Sequence, residues 1–431
     1  MIDTPMASSA KQYRTLDPGY IRTEVLQRRY TKRTPWWRDA VINEIPGIID
    51  EEGARLLEDC VFFIARMGFT AVTFRPASID LEKDCSILRS LIEAIHRVGL
   101  KAIVRIAGAE YRDWGPAAEF SAFYGFERDA DTIIKRAKIA LKNGADGIDL
   151  GRIEDTPEAS DEVERAVSFT QLTRVLLAEL AEYSEDHILT AEASIFNTEA
   201  YRRHFEEEWL HLLCDDRLQR VGFNASQIET QIREKIQAHE RQGSVCSWQA
   251  TLPRLNTALG TENFFLGSWE ENANEFRRAA LRMLVAALPG SVFLPFGFSG
   301  GHLDFEGAHI RPYPPQSEVE KERVAHTTMV LRLRAQHQLA TCAFGIVKNL
   351  PWANPGCLAL TCGPLMAVLN TGDTAVEVPS EHELLLRSES TKQEDSPISK
   401  VIFGGQELTV THSNQGSSTV IPAGACAWFL C

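Results

Sequence analysis

The chain of 431 residues has no apolar run approaching the roughly 18 to 20 residues of a bilayer span, so no membrane-spanning helix is expected. Met1 to Lys11 (MIDTPMASSAK) lacks the apolar core of a secretory signal, and a cytoplasmic protein is the expectation. Cys-x-x-Cys pairs are also lacking. Nine cysteines, at 60, 85, 214, 246, 342, 357, 362, 426 and 431, are scattered and odd in number, which argues for reduced buried thiols over a zinc site or disulfide framework. Neither a metal nor a cofactor is expected. Positive charge is short as well: 45 Lys and Arg against 59 Asp and Glu leave a net charge of -14, the wrong sign for a nucleic-acid surface. One local exception is the basic run Lys11, Arg14, Arg22, Arg28, Arg29, Lys32 and Arg33, expected to form a solvated helical or extended lead-in.

What is present is enough for one large core and a smaller second domain, at 44% apolar residues. From Trp36 to about Ala340, short apolar runs alternate with amphipathic helical stretches. Eight strand candidates stand at 41–45, 71–75, 101–107, 147–151, 188–193, 220–224 (RVGFN), 244–248 (SVCSW) and 291–297. Helix candidates such as 52–68 and 85–99 end in glycine. Eight strands alternating with helices predict an α/β fold, a (β/α)8 TIM barrel closed by right-handed crossovers. After Ala340 the texture changes to short β segments separated by turn residues, which predicts a C-terminal antiparallel β-sandwich. The expected division is an N-terminal extension at 1–35, the barrel at 36–340 and the sandwich at 341–431, with a polar loop at 388–400.

Several segments carry a resemblance when taken in order. WWRDAVINEI (36–45), GFTAVTFRP (68–76), AIHRVGLKAIV (94–104), NGADGIDL (143–150), ILTAEA (188–193) and ALPGSVFLPFG (287–297) resemble the barrel of the alpha-amylase family, glycoside hydrolase family 13, in its oligo-glucosidase and trehalose-synthase-like branch. LRLRAQHQLA (331–340), LMAVLNTGDTAVEVP (365–379) and VIPAGACAWFL (420–430) resemble that branch's closing helix and C-terminal sandwich. The resemblance implies a site at the C-terminal ends of the barrel strands. There, retaining hydrolysis needs a nucleophilic carboxylate, an acid/base carboxylate and a third carboxylate that stabilises the transition state.

Carried over residue by residue, most of that machinery is missing. The fourth-strand pattern falls on Gly144, Asp146, Gly147, Ile148, Asp149 and Gly151, so glycine stands where the nucleophile belongs. The acid/base Glu falls on Glu192 and is present. The seventh-strand triplet falls on Trp248, Gln249 and Ala250, which loses the transition-state Asp and a substrate-binding His. The third-strand motif falls on Arg105, Ala109 and Glu110, which loses another His, and the stacking Tyr and Asp have no counterpart in 76–84. Only 33 residues separate Glu110 from Gly144, so the covering excursion domain is almost gone.

Asp149 points to the same side of the strand as Gly151 but about 6 to 7 Å lower, too far to substitute for it in an attack on carbon. The family's third-strand Asp has become Arg105 and its fourth-strand Arg has become Asp149. This exchange of signs predicts a buried ion pair inside the barrel. Glu192 is then either a vestige or the acid of an altered reaction. His187, His204 and His211 are expected as surface or helix-cap residues, and GFSGGH (297–302) as a loop. Trp114, Phe120, Phe123, Tyr124 and Phe126 either plug the barrel mouth or offer a lid to a partner. Trp248 is expected to fill the old sugar subsite.

The expectation for function is a catalytically inactive alpha-amylase-like protein of carbohydrate metabolism, a pseudoenzyme. It would act as scaffold or regulatory partner through a protein partner or self-association, with a possible alpha-glucoside ligand. The alternative is an alpha-glucosidase, or a trehalose- or glucan-metabolising glycoside hydrolase or transglycosidase, with a relocated nucleophile.

Overall fold

A computed structural model describes residues 20–32, 34–76, 85–106, 126–153, 162–193, 195, 198–207, 209–250, 273–306, 309–388, 398–403, 406–411 and 418–431. Eight parallel strands form a nearly closed barrel. In chain order they are Val41–Ile49, Ala71–Pro76, Lys101–Arg105, Gly147–Ile153, Ile188–Ala193, Leu212–Asp215, Ser247–Gln249 and Ser291–Pro295. The first six pair consecutively, the seventh pairs with the eighth, and the eighth returns to the first at Val41 and Val292.

The helices between strands begin and end where local chemistry directs. Glu51–Met67 starts on Asp50, whose carboxylate accepts the Gly53 N–H, and stops at Gly68 in the left-handed region (φ 106°). Ala225–Gln242 starts on Asn224, which accepts from Ser226 and Gln227, and stops at Gly243. That cap corrects the expected sixth strand. RVGFN does not extend, because Arg217–Arg220 is a helical turn and Asn224 is committed to capping; the sixth strand is the shorter apolar run LLCD at 212–215.

Among the described residues no ladder joins the sixth strand to the seventh, and side chains close the seam instead. Lys235, its side chain fully buried, donates to the Asp215 carboxylate at 2.7 Å and to the Ser247 carbonyl at 2.6 Å. Gln219 Nε2 donates to the Gln249 carbonyl. Two seventh-strand acceptors that a ladder would have used are thus satisfied by side-chain donors, as buried carbonyls must be. Asp215 also accepts from Arg217 Nε at 2.9 Å. Burial alone would raise its carboxyl, but the charges of Arg217 and Lys235 and their hydrogen bonds win and hold it well below the usual carboxylate range.

Beyond the eighth strand, Phe296–Ser299 is a 3-10 turn ending at Gly300, as a loop reading of GFSGGH expects. A hairpin, His302–Glu306 with His309–Tyr313, touches the end of the first strand at Ile48. Helix Glu318–Gln336, opened by a Ser317 and Glu320 capping box, completes the barrel segment. The C-terminal strands form a six-stranded antiparallel sheet, backed by the pair Val376–Val378 and Thr419–Ile421 over a core of Met366, Val368, Val378, Ile421 and Phe429. One strand of the sheet comes from the other end of the chain. Arg22–Gln27, inside the basic lead-in, pairs antiparallel with Phe344–Lys348 and is the sheet's outermost strand. Gly345 permits this close approach: a Cβ there would lie 2.8 Å from the Glu24 carbonyl oxygen.

The seam generates a stability test. Lys235→Met keeps the volume but leaves the Ser247 carbonyl unsatisfied and Asp215 half paired, and is expected to cost about 3 kcal/mol in urea unfolding. Because the Asp215 carboxyl is depressed in the fold, its contribution is present above the unfolded carboxylate pKa and lost as pH falls below it. The difference between the variant and the parent should therefore shrink in acid.

Candidate active site

Alternation along the strands sorts their side chains into two shells. Outward-facing Val72, Phe74, Val104, Ile148, Leu150, Leu189 and Leu294 pack in the layer shared with the helices. Inward-facing Ile42, Ala71, Ile103, Ile188, Leu212 and Phe293 form an apolar floor, covered from below by Trp36 and Trp37. Above that floor, toward the C-terminal ends, the inward positions become polar: Glu44, Thr73, Arg105, Asp149, Thr190, Glu192 and Gln249, none more than 5% exposed. A barrel places its chemistry at this end.

All of these but Thr190 form one connected set. Arg105 Nε donates to Asp149 Oδ2 at 2.8 Å, and Arg105 Nη2 donates to Glu44 Oε1 at 3.1 Å. Thr73 Oγ1 donates to the same Asp149 oxygen at 3.3 Å. Gln249 Nε2 lies 3.3 Å from both Glu44 oxygens and 3.2 Å from Glu192 Oε2, so one amide bridges two carboxylates. A guanidinium sharing its donors between two carboxylates is the arrangement that makes buried charge tolerable. Two further guanidiniums, Arg75 and Arg136, are buried nearby. Burial, aided by the charge of Arg75, pushes Arg136 down to about 9.

Gly151 is more than a missing carboxylate. It lies in an irregular stretch of the fourth strand between Asp149 and Arg152, has φ 65°, and donates its N–H to Asp149 Oδ1 at 2.8 Å. The left-handed backbone that makes this bond is disfavoured for any residue with a Cβ. Asp149 therefore has both oxygens committed.

Two residues are not where the sequence reading put them. Trp248 does not fill a sugar subsite. Its neighbours Ser247 and Gln249 face inward, so it faces outward into the apolar layer, 1% exposed, with Nε1 donating to the Pro289 carbonyl at 2.7 Å and Lys235 4.9 Å from its ring. Ala250 likewise belongs to the outer apolar cluster, so an aspartate there would not reach the interior; the inward residue of this strand end is Gln249. Glu44 was missed altogether. Its only signal was a lone acid within the apolar run VINEI.

Asp146, also part of the family pattern, sits at the opposite, floor end of the fourth strand. It accepts from His96 at 2.7 Å, Lys101 at 2.6 Å and the Ala102 N–H at 2.9 Å, and those bonds outweigh its burial to hold it below the usual carboxylate range. His187, half-buried with Nδ1 3.4 Å from the Leu180 carbonyl at a helix C-terminus, fits the expected helix-cap role, and the other two histidines are less exposed than expected. His204 is 3% exposed and pushed down to about 3 by burial, and His211 accepts the Leu189 N–H at 3.1 Å beneath Trp37. Among the described residues no group of three His, Cys, Asp or Glu is arranged to hold a metal ion, and no helix is long and apolar enough to cross a membrane. Ala109, Glu110 and residues Trp114 to Tyr124 lie outside the described residues, as does the side chain of Phe126.

No protein-family profile matches the chain, and no curated protein matches it in sequence. Solved structures do match in shape. An alpha-amylase from Geobacillus thermoleovorans, complexed with acarbose, superposes with a TM-score of 0.55 at 13% identity over 92% of this chain and 99% of that one. An alpha-amylase from H. orenii gives 0.57 at 13% over 91% and 99%. A noncanonic maltogenic alpha-amylase from Thermotoga neapolitana gives 0.51 at 12% over 91% and 99%. The fold is therefore that of the alpha-amylases, a (β/α)8 barrel with a C-terminal β domain.

The network carries two stability expectations. Asp149→Ala leaves a buried guanidinium with one of its two carboxylates and should cost about 3 kcal/mol by urea unfolding; in a cycle with Arg105→Met the two losses should be non-additive by about 0.5 to 3 kcal/mol. Gly151→Ala should cost about 1 to 3 kcal/mol, because alanine is strained at the required φ.

Proposed function

We propose that this protein is a degenerate relative of the alpha-amylases, in the oligo-glucosidase and trehalose-synthase-like branch, that does not hydrolyse alpha-glucosides and serves as a scaffold or regulatory binding partner inside the cell. The observation that carries this reading is the state of the fourth strand. Where retaining chemistry needs a carboxylate aimed at an anomeric carbon, a glycine turns its own N–H back onto Asp149, which Arg105 and Thr73 hold in place. A carboxylate whose oxygens are occupied by internal donors is a poor nucleophile and is out of position for attack. The working division is a barrel at 36–340 and a β domain at 341–431, with the Arg22–Gln27 strand belonging to the latter's sheet.

One observation favours the enzyme reading. Glu44 and Glu192 are bridged by a single amide nitrogen, 3.3 Å from both Glu44 oxygens and 3.2 Å from Glu192 Oε2, so oxygens of the two carboxyl groups lie within about 6.5 Å of each other, compatible with the about 5 to 5.5 Å of a retaining pair. In that reading Glu44 is the relocated nucleophile.

A single set of assays separates the two. Purified protein incubated with maltose, trehalose, sucrose and aryl alpha-glucosides is expected to show no turnover above background. Turnover that disappears in both Glu44→Gln and Glu192→Gln would instead establish the relocated pair. Loss in Glu192→Gln alone would show that the acid still works with a partner elsewhere.

A further inference from the structure

The outermost strand of the C-terminal sheet, Arg22–Gln27, leaves its far side without a strand partner among the described residues. An unpaired strand edge presents a row of N–H and C=O groups to any chain that can align with it, and proteins usually protect such edges with charge, proline or a covering element. This edge and the two residues before it mix charged with exposed apolar side chains. Tyr20, Ile21 and Val25 are 67, 58 and 61% exposed, three large hydrophobic side chains within six residues. Arg22 and Glu24 share the barrel-facing side of the strand, where Glu24 meets Arg233 at 2.6 Å. Ile21, Thr23 and Val25 alternate to the other side.

The sequence of this edge is complementary to itself. Laid antiparallel against a second copy about a two-fold axis at Thr23, Arg22 of each chain stands opposite Glu24 of the other, and Ile21 opposite Val25. Opposite charges and apolar residues directly across from one another are the pairs that stabilise an antiparallel ladder. Arg22 is already poised, 3.0 Å from Glu24 of its own chain with half of its side chain in solvent. We propose that two copies of this protein associate through Arg22–Gln27 to form one continuous twelve-stranded sheet, an isologous dimer whose axis passes Thr23. The dimer is independent of whether the barrel turns over sugar, so its test and the assays above succeed or fail separately.

The test uses the full chain. Light scattering across the micromolar range is expected to show a dimer that dissociates on dilution. Arg22→Glu, which sets four carboxylates along the two-fold, should give a monomer with the parent's melting temperature, and Val25→Lys should do the same should Arg22→Glu fail to fold. Glu383→Lys, on the opposite edge strand, should remain dimeric. In a Cys431→Ser background, which removes the exposed native thiol, Thr23→Cys should form an intermolecular disulfide on treatment with diamide, whereas Arg28→Cys should not. A parent that stays monomeric throughout, or equal cross-linking through positions 23 and 28, would overturn the proposal.

Discussion

The interior of this barrel is organised by the guanidinium of Arg105, held 2.8 Å from Asp149 and 3.1 Å from Glu44. A buried carboxylate is costly to desolvate, and three of them line the inward face of the first, fourth and fifth strands. Arg105 neutralises two, Gln249 links the second of these to the third, and the Gly151 N–H completes the first. Removing Arg105 would leave two buried carboxylates short of compensation, and removing either carboxylate would leave the guanidinium half paired. The arrangement is therefore conservative of its own pairing, and that is the opposite of what a nucleophile requires: an oxygen with a free lone pair aimed at substrate.

The same logic of substitution operates at the sixth and seventh strands, where Lys235 and Gln219 stand in for a missing ladder. In both places a position that repeats elsewhere in the barrel as backbone or apolar contact has been taken over by a side-chain network. The apolar floor beneath Glu44 and the outer apolar shell are by contrast ordinary close packing and carry the closure of the barrel.

The order of elements was legible in the sequence because it rests on local physics: apolar runs of strand length, helices closed by Gly68 and Gly99, and turn residues between the C-terminal strands. The charge reversal between Arg105 and Asp149 was also visible, since two strands with exchanged signs must either pair or unfold. Four things were not. The sixth strand has only four residues, and its flank RVGFN mimics a better strand until Asn224 is seen capping a helix. The facing of Trp248 and Ala250 depends on where the seventh strand begins, and a shift of one residue turns every side chain over. Glu44 stood as one acid in an apolar run, and nothing local distinguishes a buried network member from an exposed edge residue. Arg22–Gln27 was hidden for a different reason, since its partner Phe344–Lys348 lies more than three hundred residues away along the chain.

The central claim, that among the described residues no barrel carboxylate is free to attack an anomeric carbon, is tested most directly by covalent trapping. Incubation with a fluorinated alpha-glucosyl fluoride that accumulates the glycosyl-enzyme intermediate of retaining enzymes, followed by intact-protein mass spectrometry, reads the claim in one number. The account predicts the unmodified mass of the chain. A stoichiometric glycosyl adduct mapping to Glu44, Asp149 or Glu192 would contradict it.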